Sequence, residues 1–230
     1  SPVQPILKRL EAAKTTSQLF AIQKEMMPAG APMFYGAGIG ADEMNATQNI
    51  LGVNQGGLTL GQKDYYLEND PATTKIREAY KLHIVRMFRL FGFKTGTAQK
   101  KMQNVMKIEM ALAKVSRSNT QLRDPKANYN KMTLQEFQSK YPHLQLEQLM
   151  NAKGIDSKYL QTLVVGQPDF MAGAEKVIAG LSAPAYRDWM EWRIINGAAN
   201  LLNDEAAQAS FDFYGKVMAG RKENHPLWRR

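Results

Sequence analysis

The chain has 230 residues, 44% of them hydrophobic and 22% charged, and its formal net charge is +9 at pH 7. This composition is that of an ordinary globular protein and excludes a disordered tail, a collagen-like repeat and a coiled-coil rod. Because cysteine is absent, disulfides, thiolate zinc sites and a cysteine nucleophile are excluded as well. No stretch approaches the roughly 18 consecutive apolar residues of a membrane-spanning helix.

The first part of the chain predicts less regular structure than the rest. Residues 4–26 have a helical pattern that breaks near residues 15–17, where Ser17 is the expected N-cap of the second piece. Residues 30–61 are rich in Gly and Asn and predict loops with little regular structure. A loop-rich stretch is therefore expected near residues 30–66.

Two long helices follow. Residues 72–91 repeat apolar side chains at intervals of three and four, which predicts an amphipathic helix. Asp70 is its expected N-cap, and Gly92 marks its expected end. Residues 97–117 show the same periodicity, so the two helices are expected to form a helical hairpin.

Shorter elements come next. Thr133 and Glu136 form the capping-box pattern that opens a short helix, and this helix ends before Pro142. Residues 144–153 are a weaker helix candidate. Residues 160–165 are compatible with a short strand.

The last part of the chain again predicts helices, over residues 168–181, 184–202 and 204–220. The N-cap of the second of these is either Ser182 or Ala183, and Asp204 is the expected cap of the third. These patterns together predict a mainly α fold with long amphipathic helices.

Two glycine-rich segments look like nucleotide-binding loops but lack the required context. No βαβ unit surrounds residues 36–40 (Gly-Ala-Gly-Ile-Gly), so a turn is favoured over a dinucleotide site. Residues 56–63 have the glycine spacing of a phosphate loop. However, Gln62 stands where that motif needs Lys, and Asp64 would repel phosphate.

Histidine spacing excludes the usual helical zinc site. The three histidines are His83, His143 and His225, and no two of them are four residues apart. His83 lies on the apolar stripe of its helix, where a core histidine is favoured over a metal ligand. The residues therefore predict no cofactor, no metal ligand and no catalytic residue in this chain.

The net positive charge leaves one alternative open. The densest basic set is interrupted by acidic and apolar residues, which favours a solvated helix surface over a binding site. Its members are Lys94, Lys100, Lys101, Lys107, Lys114, Arg117, Arg123 and Lys126. The alternative is a stand-alone basic helical module for an acidic partner such as nucleic acid.

Glu109 is the one carboxylate predicted to lie beside an apolar helix face. A carboxylate in that position must be paired or hydrogen-bonded. Arg123 and Arg193 are the candidate partners of a structural ion pair, which is favoured over a catalytic base because no catalytic companion is near.

Five ordered segments resemble the neprilysin and endothelin-converting-enzyme family of zinc metalloendopeptidases. They are residues 56–67 (a Gly-Leu-x-Leu…Asp-Tyr-Tyr pattern), 109–113 (Glu-x-x-Leu-Ala), 123–133 (Arg-Asp-Pro…Tyr-Asn-x-Met-Thr), 189–193 (ending in Trp-Arg) and 213–230 (Phe-Tyr…Gly…Trp-x-Arg). Each segment alone is a weak signal, but the five together in order are specific. Residues 1–55 match only loosely.

The resemblance implies a single helical cap domain over residues 1–230, an internal fragment of a longer, bacterial-type peptidase. In that family this region closes over a zinc catalytic domain and helps to enclose a cavity that admits peptides. The zinc ligands and catalytic residues belong to the other domain, so none is carried over to this chain. The implied partners are that catalytic domain and peptide substrates, and the implied compartment is extracytoplasmic.

Overall fold

The computed structural model describes residues 1–220, and helices dominate it, which confirms the mainly α prediction. The α-helices of this part are α1 Gln4–Ala12, α2 Thr16–Met26, α3 Asp64–Leu67, α4 Pro71–Leu90, α5 Thr95–Val115, α6 Leu134–Lys140, α7 Leu146–Ala152, α8 Pro168–Ala179, α9 Ala183–Leu202 and α10 Asp204–Ser210. No helix within residues 1–220 is long and apolar enough to cross a membrane.

Side-chain caps fix several helix starts as the sequence predicts. The Asp70 carboxylate accepts a hydrogen bond from the Thr73 amide at the start of α4. The capping box of α6 is present in both directions between Thr133 and Glu136. Ser182 caps α9, which decides between the two candidates for that position.

Two predicted caps are wrong by one or two residues. The Thr15 hydroxyl, not that of Ser17, accepts from the Gln18 amide at the start of α2. Asn203, not Asp204, caps α10. In both cases the polar residue just before the first helical turn takes the role, because only there can its side chain reach the exposed amides of that turn.

The helix predicted over residues 204–220 changes geometry after α10. Residues Phe211–Met218 form a π-helix, a wider helix that sequence periodicity does not reveal. A Cβ atom at Gly215 would overlap the Phe211 ring, so this turn requires glycine. The family-like residues 228–230 lie outside the described residues.

The prediction of little regular structure over residues 30–61 is wrong for most of that range. Strands β1 Tyr35–Asp42 and β2 Asn45–Gln55 form a long antiparallel hairpin. With β3 Asn130–Thr133 and β4 Thr162–Val165 they build a sheet of order β1-β2-β4-β3. Strand β4 lies within residues 160–165, where the sequence is compatible with a short strand, and it pairs parallel to β2 and antiparallel to β3.

Contacts between residues distant in sequence help to hold the hairpin. Gly and Asn are poor strand formers, so the local propensity of β1 and β2 favours loops. Asp42 accepts from the Tyr129 hydroxyl at 2.7 Å and from the Met44 amide at 3.0 Å, which fixes the turn. The end of the hairpin is therefore held in part by Tyr129, a residue beside β3 that lies outside residues 30–61.

The chain forms two compact units, each assembled from distant segments. Unit 1 contains Ser1–Leu19, Tyr65–Ile108 and the described chain from Ser182 to Gly220, and unit 2 contains Phe20–Asp64 and Glu109–Leu181. A single domain over residues 1–230 stays a prediction.

The core of unit 1 is aromatic. Trp189 and Trp192 of α9 are fully buried, and the Trp192 indole N–H donates to the Tyr80 hydroxyl at 2.9 Å. Tyr186 and Met190 of α9 are buried as well. His83 of α4 stacks on Phe213 and is 5% exposed, as predicted for a core histidine.

The core of unit 2 lies around the sheet, where Leu51, Val53, Leu163 and Val165 are fully buried.

Candidate functional site

A buried cluster of charged side chains lies in unit 1 around Lys101 of α5. The ammonium nitrogen of Lys101 is 2.8 Å from Glu11 Oε1, 2.8 Å from Asp188 Oδ1 and 2.6 Å from Glu191 Oε1. Lys101 is 2% exposed, so placing it with the basic residues of a solvated surface is wrong. The lysine links three helices, because its partners come from α1 and α9.

The second cation of the cluster is Arg187. Its Nε atom is 3.0 Å from Asp188 Oδ1 and 3.4 Å from Glu11 Oε2. Of the three carboxylates around these two cations, Asp188 and Glu191 are buried, whereas the Glu11 side chain is 34% exposed. A buried carboxylate is costly unless a cation or a proton neutralises it.

Glu191 is the carboxyl of this cluster whose surroundings favour the protonated form. It is fully buried, and its Oε2 atom has no hydrogen-bond partner. Burial raises the pKa of Glu191 to about 8, and the attraction of Lys101 only partly offsets this effect. For Lys101 itself, burial disfavours the ammonium, but the surrounding carboxylates outweigh burial and raise its pKa. The packing of the three helices around this cluster is therefore expected to depend on pH.

In unit 2, two of the family-like segments meet at Glu109 of α5. Glu109 is fully buried, and its carboxylate accepts a hydrogen bond from the Thr59 hydroxyl at 2.7 Å. Gly57 has φ +80°, and a Cβ atom there would lie 2.7 Å from Leu112 and 2.8 Å from the Phe34 carbonyl oxygen. This close approach explains why the segment needs glycine beside the helix.

A second polar centre of unit 2 is Arg117. Its guanidinium donates to the carbonyls of Ala127 and Gly166 and to the Asn128 side chain, and it forms an ion pair of 2.8 Å with Asp169. These bonds tie the end of α5 to the loop before β3 and to the start of α8. Arg117 was grouped with the surface lysines in the sequence because nothing local distinguishes it from them.

The predicted ion pair of Glu109 stays a prediction. Arg123 is exposed in a short 3-10 helix, Gln121–Arg123. The guanidinium of Arg193 lies 5.3 Å from the centre of the Trp189 ring. The hydrogen bond from the Thr59 hydroxyl to Glu109 is not among the interactions that the sequence predicts.

The described residues offer no set of metal ligands. Within residues 1–220, no group of three or more His, Asp or Glu side chains could hold a metal ion. The residues 36–40 that resemble a dinucleotide loop lie inside strand β1 of the hairpin, so they do not open a helix. The polar centres at Lys101, Glu109 and Arg117 hold helices and loops together, and zinc does not fit them.

These observations define a mainly helical, two-unit protein whose buried polar groups serve its own packing. The sequence model of Peptidase family M13 matches residues 1–230, and it is the model of the family's N-terminal part. The chain therefore belongs to Peptidase family M13, which confirms the resemblance to the neprilysin and endothelin-converting-enzyme group.

Curated relatives and solved structures agree with this membership. The chain is 28% identical to Endothelin-converting enzyme-like 1 of Rattus norvegicus over 197 residues, covering 83% of this chain and 25% of the relative. It is 27% identical to Neprilysin-2 of Drosophila melanogaster over 211 residues, covering 90% of this chain and 27% of the relative. The chain thus spans about a quarter of the length of these relatives.

Two bacterial structures share the fold over almost the whole chain. The open state of the Mycobacterium tuberculosis zinc metalloprotease Zmp1 superposes with a TM-score of 0.90 at 25% identity, covering 99% of this chain and 35% of that one. PepO from Lactobacillus rhamnosis gives a TM-score of 0.81 at 18% identity, covering 99% of this chain and 36% of that one.

Proposed function

We propose that this chain is the non-catalytic cap domain of a zinc metalloendopeptidase that cleaves peptides. The observation that carries the proposal is a contrast between the family to which the chain belongs and the side chains that the structure describes. The family match covers the whole chain, whereas residues 1–220 contain no group of side chains that could hold a metal ion. The likeness to a zinc metalloprotease of known structure supports the same conclusion.

In this proposal the chain shapes the substrate cavity and limits the size of the substrate. Zinc is held by a catalytic domain elsewhere in the same polypeptide, and that domain is the partner of this chain. Zinc supplies the Lewis acid of peptide-bond hydrolysis there. The residues described here contribute a frame within each unit, which the buried centre at Lys101 holds together in unit 1 and the centres at Glu109 and Arg117 hold together in unit 2.

The proposal is tested on the full-length protein that contains this chain. The zinc-loaded protein should cleave short peptides, and it should spare a folded protein that carries the same cleavage sequence in an exposed loop. Residues 1–230 alone should cleave neither, with or without zinc. Equal cleavage of the peptide and the folded protein would refute the size limit, and cleavage by residues 1–230 would refute the non-catalytic role.

The alternative of a basic module for nucleic acid gains no support. Family membership points to a peptidase. Two members of the basic set are also committed to internal contacts, since Lys101 is buried among carboxylates and Arg117 bonds within unit 2.

A further inference from the structure

The outer half of the β1–β2 hairpin is exposed. Residues 38–41 of β1 and 45–49 of β2 are all solvent-exposed, so neither face of this part is covered by residues 1–220. Strand β1 is also an edge of the sheet, since among the described strands it pairs with β2 alone. One side of β1 therefore presents main-chain groups without a strand partner.

The register identifies which main-chain groups these are. The carbonyl oxygen of Val53 in β2 accepts a hydrogen bond from the Gly166 amide at 2.9 Å, so the main-chain groups of Val53 point toward β4. Its partner in β1, Ala37, is consequently in a non-hydrogen-bonded pair and directs its N–H and C=O away from β2. Ile39, two residues further on, has the same orientation.

This edge lacks the usual protection against pairing. Natural edge strands are protected by charged side chains, proline or a short length. Residues 36–41 contain no charged residue and no proline, and Ile39 is 43% exposed. The register of the β1–β2 pair stays regular from Tyr35 to Ala41 and shifts only between Ala41 and Asp42. The edge is therefore regular and uncharged over the stretch that includes Ala37 and Ile39.

We propose that the free edge of β1 binds an extended peptide by adding it to the sheet as a further strand. The peptide would exchange hydrogen bonds with the main-chain groups of Ala37 and Ile39, as in other cases of strand addition. The proposal rests on the proposed function, because a peptidase that acts on unfolded segments meets extended peptides as substrates.

A peptide fits this edge better than a second copy of the chain. A stable dimer needs roughly 20–30 residues on each side. The large apolar side chains exposed in the hairpin are Ile39 and Met44, which are too few for an interface of that size. An extended peptide needs only the main-chain edge, whose length over six residues is about 20 Å.

The glycines of β1 predict which side chains the peptide can carry. Gly38 and Gly40 lie on the same face of β1, and no heavy atom lies within 4 Å of a Cβ atom built at either position. Peptide side chains opposite these two residues would meet bare main chain. Alternate positions of the peptide should therefore accept bulky residues, and sequence selectivity should be weak.

The test uses the full-length protein and an uncharged peptide rich in threonine and valine that it cleaves. The Ile39→Pro variant lacks the main-chain N–H of residue 39. This group points away from β2, so the hydrogen bonds between β1 and β2 are retained. We expect KM to rise about fivefold with kcat unchanged, as for the loss of one main-chain hydrogen bond. Met44→Thr, a change at an exposed residue of the turn, is the control and should leave KM unchanged.

A second measurement does not depend on a variant. Hydrogen exchange of the Ala37 and Ile39 amides in the full-length protein should slow when the peptide is present in excess. Unchanged KM in Ile39→Pro together with unchanged exchange would overturn the proposal. A change in oligomeric state in place of a change in KM would overturn it in favour of a second copy. If the protein cleaves no peptide, the proposed function fails, and the exchange measurement still decides whether the edge binds one.

Discussion

The buried charge cluster of unit 1 gives the sharpest prediction about stability. Replacing Lys101 with methionine removes the cation that lies within 2.8 Å of three carboxylates. Asp188 and Glu191 are almost fully buried, so water cannot replace the lost ammonium. Methionine has a similar length and fits beside Phe93, whose ring centre is 4.6 Å from the ammonium in the native protein. The change therefore tests charge more than packing.

The expected cost follows from the type of interaction. Removing one partner of a buried ion pair costs about 3–5 kcal/mol, because the other charge is left uncompensated. Arg187 is 3.0 Å from Asp188 and 3.8 Å from Glu191, so it compensates only in part. Amide exchange in α9, if it proceeds by opening of this unit, should accelerate about 10²- to 10⁴-fold in Lys101→Met at pH 8.

The matched control is the neighbouring residue Lys100, which is exposed. Lys100→Met makes the same chemical change without touching the cluster and should leave the exchange of α9 amides unchanged. In the double variant with Glu191→Gln, part of the loss should be recovered, because one buried carboxylate is removed as well. If Lys101→Met and Lys100→Met exchange equally, the cluster does not stabilise unit 1 and this reasoning is refuted.

Three further predictions concern pH and the corner at Glu109. Because the pKa of Glu191 is raised in the folded state, its contribution to stability should be complete below the unfolded value of 4.5 and should be lost as pH rises from there toward 8. Glu191→Gln should remove this fall, which amounts to a few kcal/mol, in a pH series of denaturant unfolding. Gly57→Ala should lower the free energy of unfolding by more than about 2 kcal/mol. Gly30→Ala, with a similar φ but open space around it, should lower it by about 1 kcal/mol. Equal losses in thermal unfolding would contradict the role of the close approach of Gly57 to Leu112 and Phe34. Thr59→Val should cost about 1–2 kcal/mol through the lost bond to Glu109, and Thr59→Ser should restore most of it, as measured by chemical denaturation.

Helix positions were predictable because their causes are local. The apolar periodicity of residues 72–91 gave α4 within one residue at each end, and Asp70 and Thr133 act as the caps that the sequence indicated. Capping involves groups within about four residues of each other, so a short window of sequence contains the whole interaction. The predicted caps Ser17 and Asp204 lie one or two residues from the caps in the structure, but a helix does begin at each of these places.

The candidate polar centres were not predictable in the same way. Lys101 and Arg117 were grouped with exposed basic residues, yet the structure places Lys101 among carboxylates that are about 90 residues away in sequence. Glu109 was recognised from its position beside an apolar face, but its bond to Thr59 spans 50 residues. A charge on a helix has the same local pattern whether solvent or a distant partner faces it.

The sequence by itself determined the helical class, most helix boundaries and the family, because each of these depends on patterns along the chain. Tertiary structure alone decided that residues 35–55 form a hairpin, since Asp42 is fixed by Tyr129 and β2 pairs with β4. It also decided which of the many charged residues are buried. Pairing between strands and between charges is set by packing in three dimensions, and the free energy of these contacts overrides the weak local preferences of Gly, Asn and Lys.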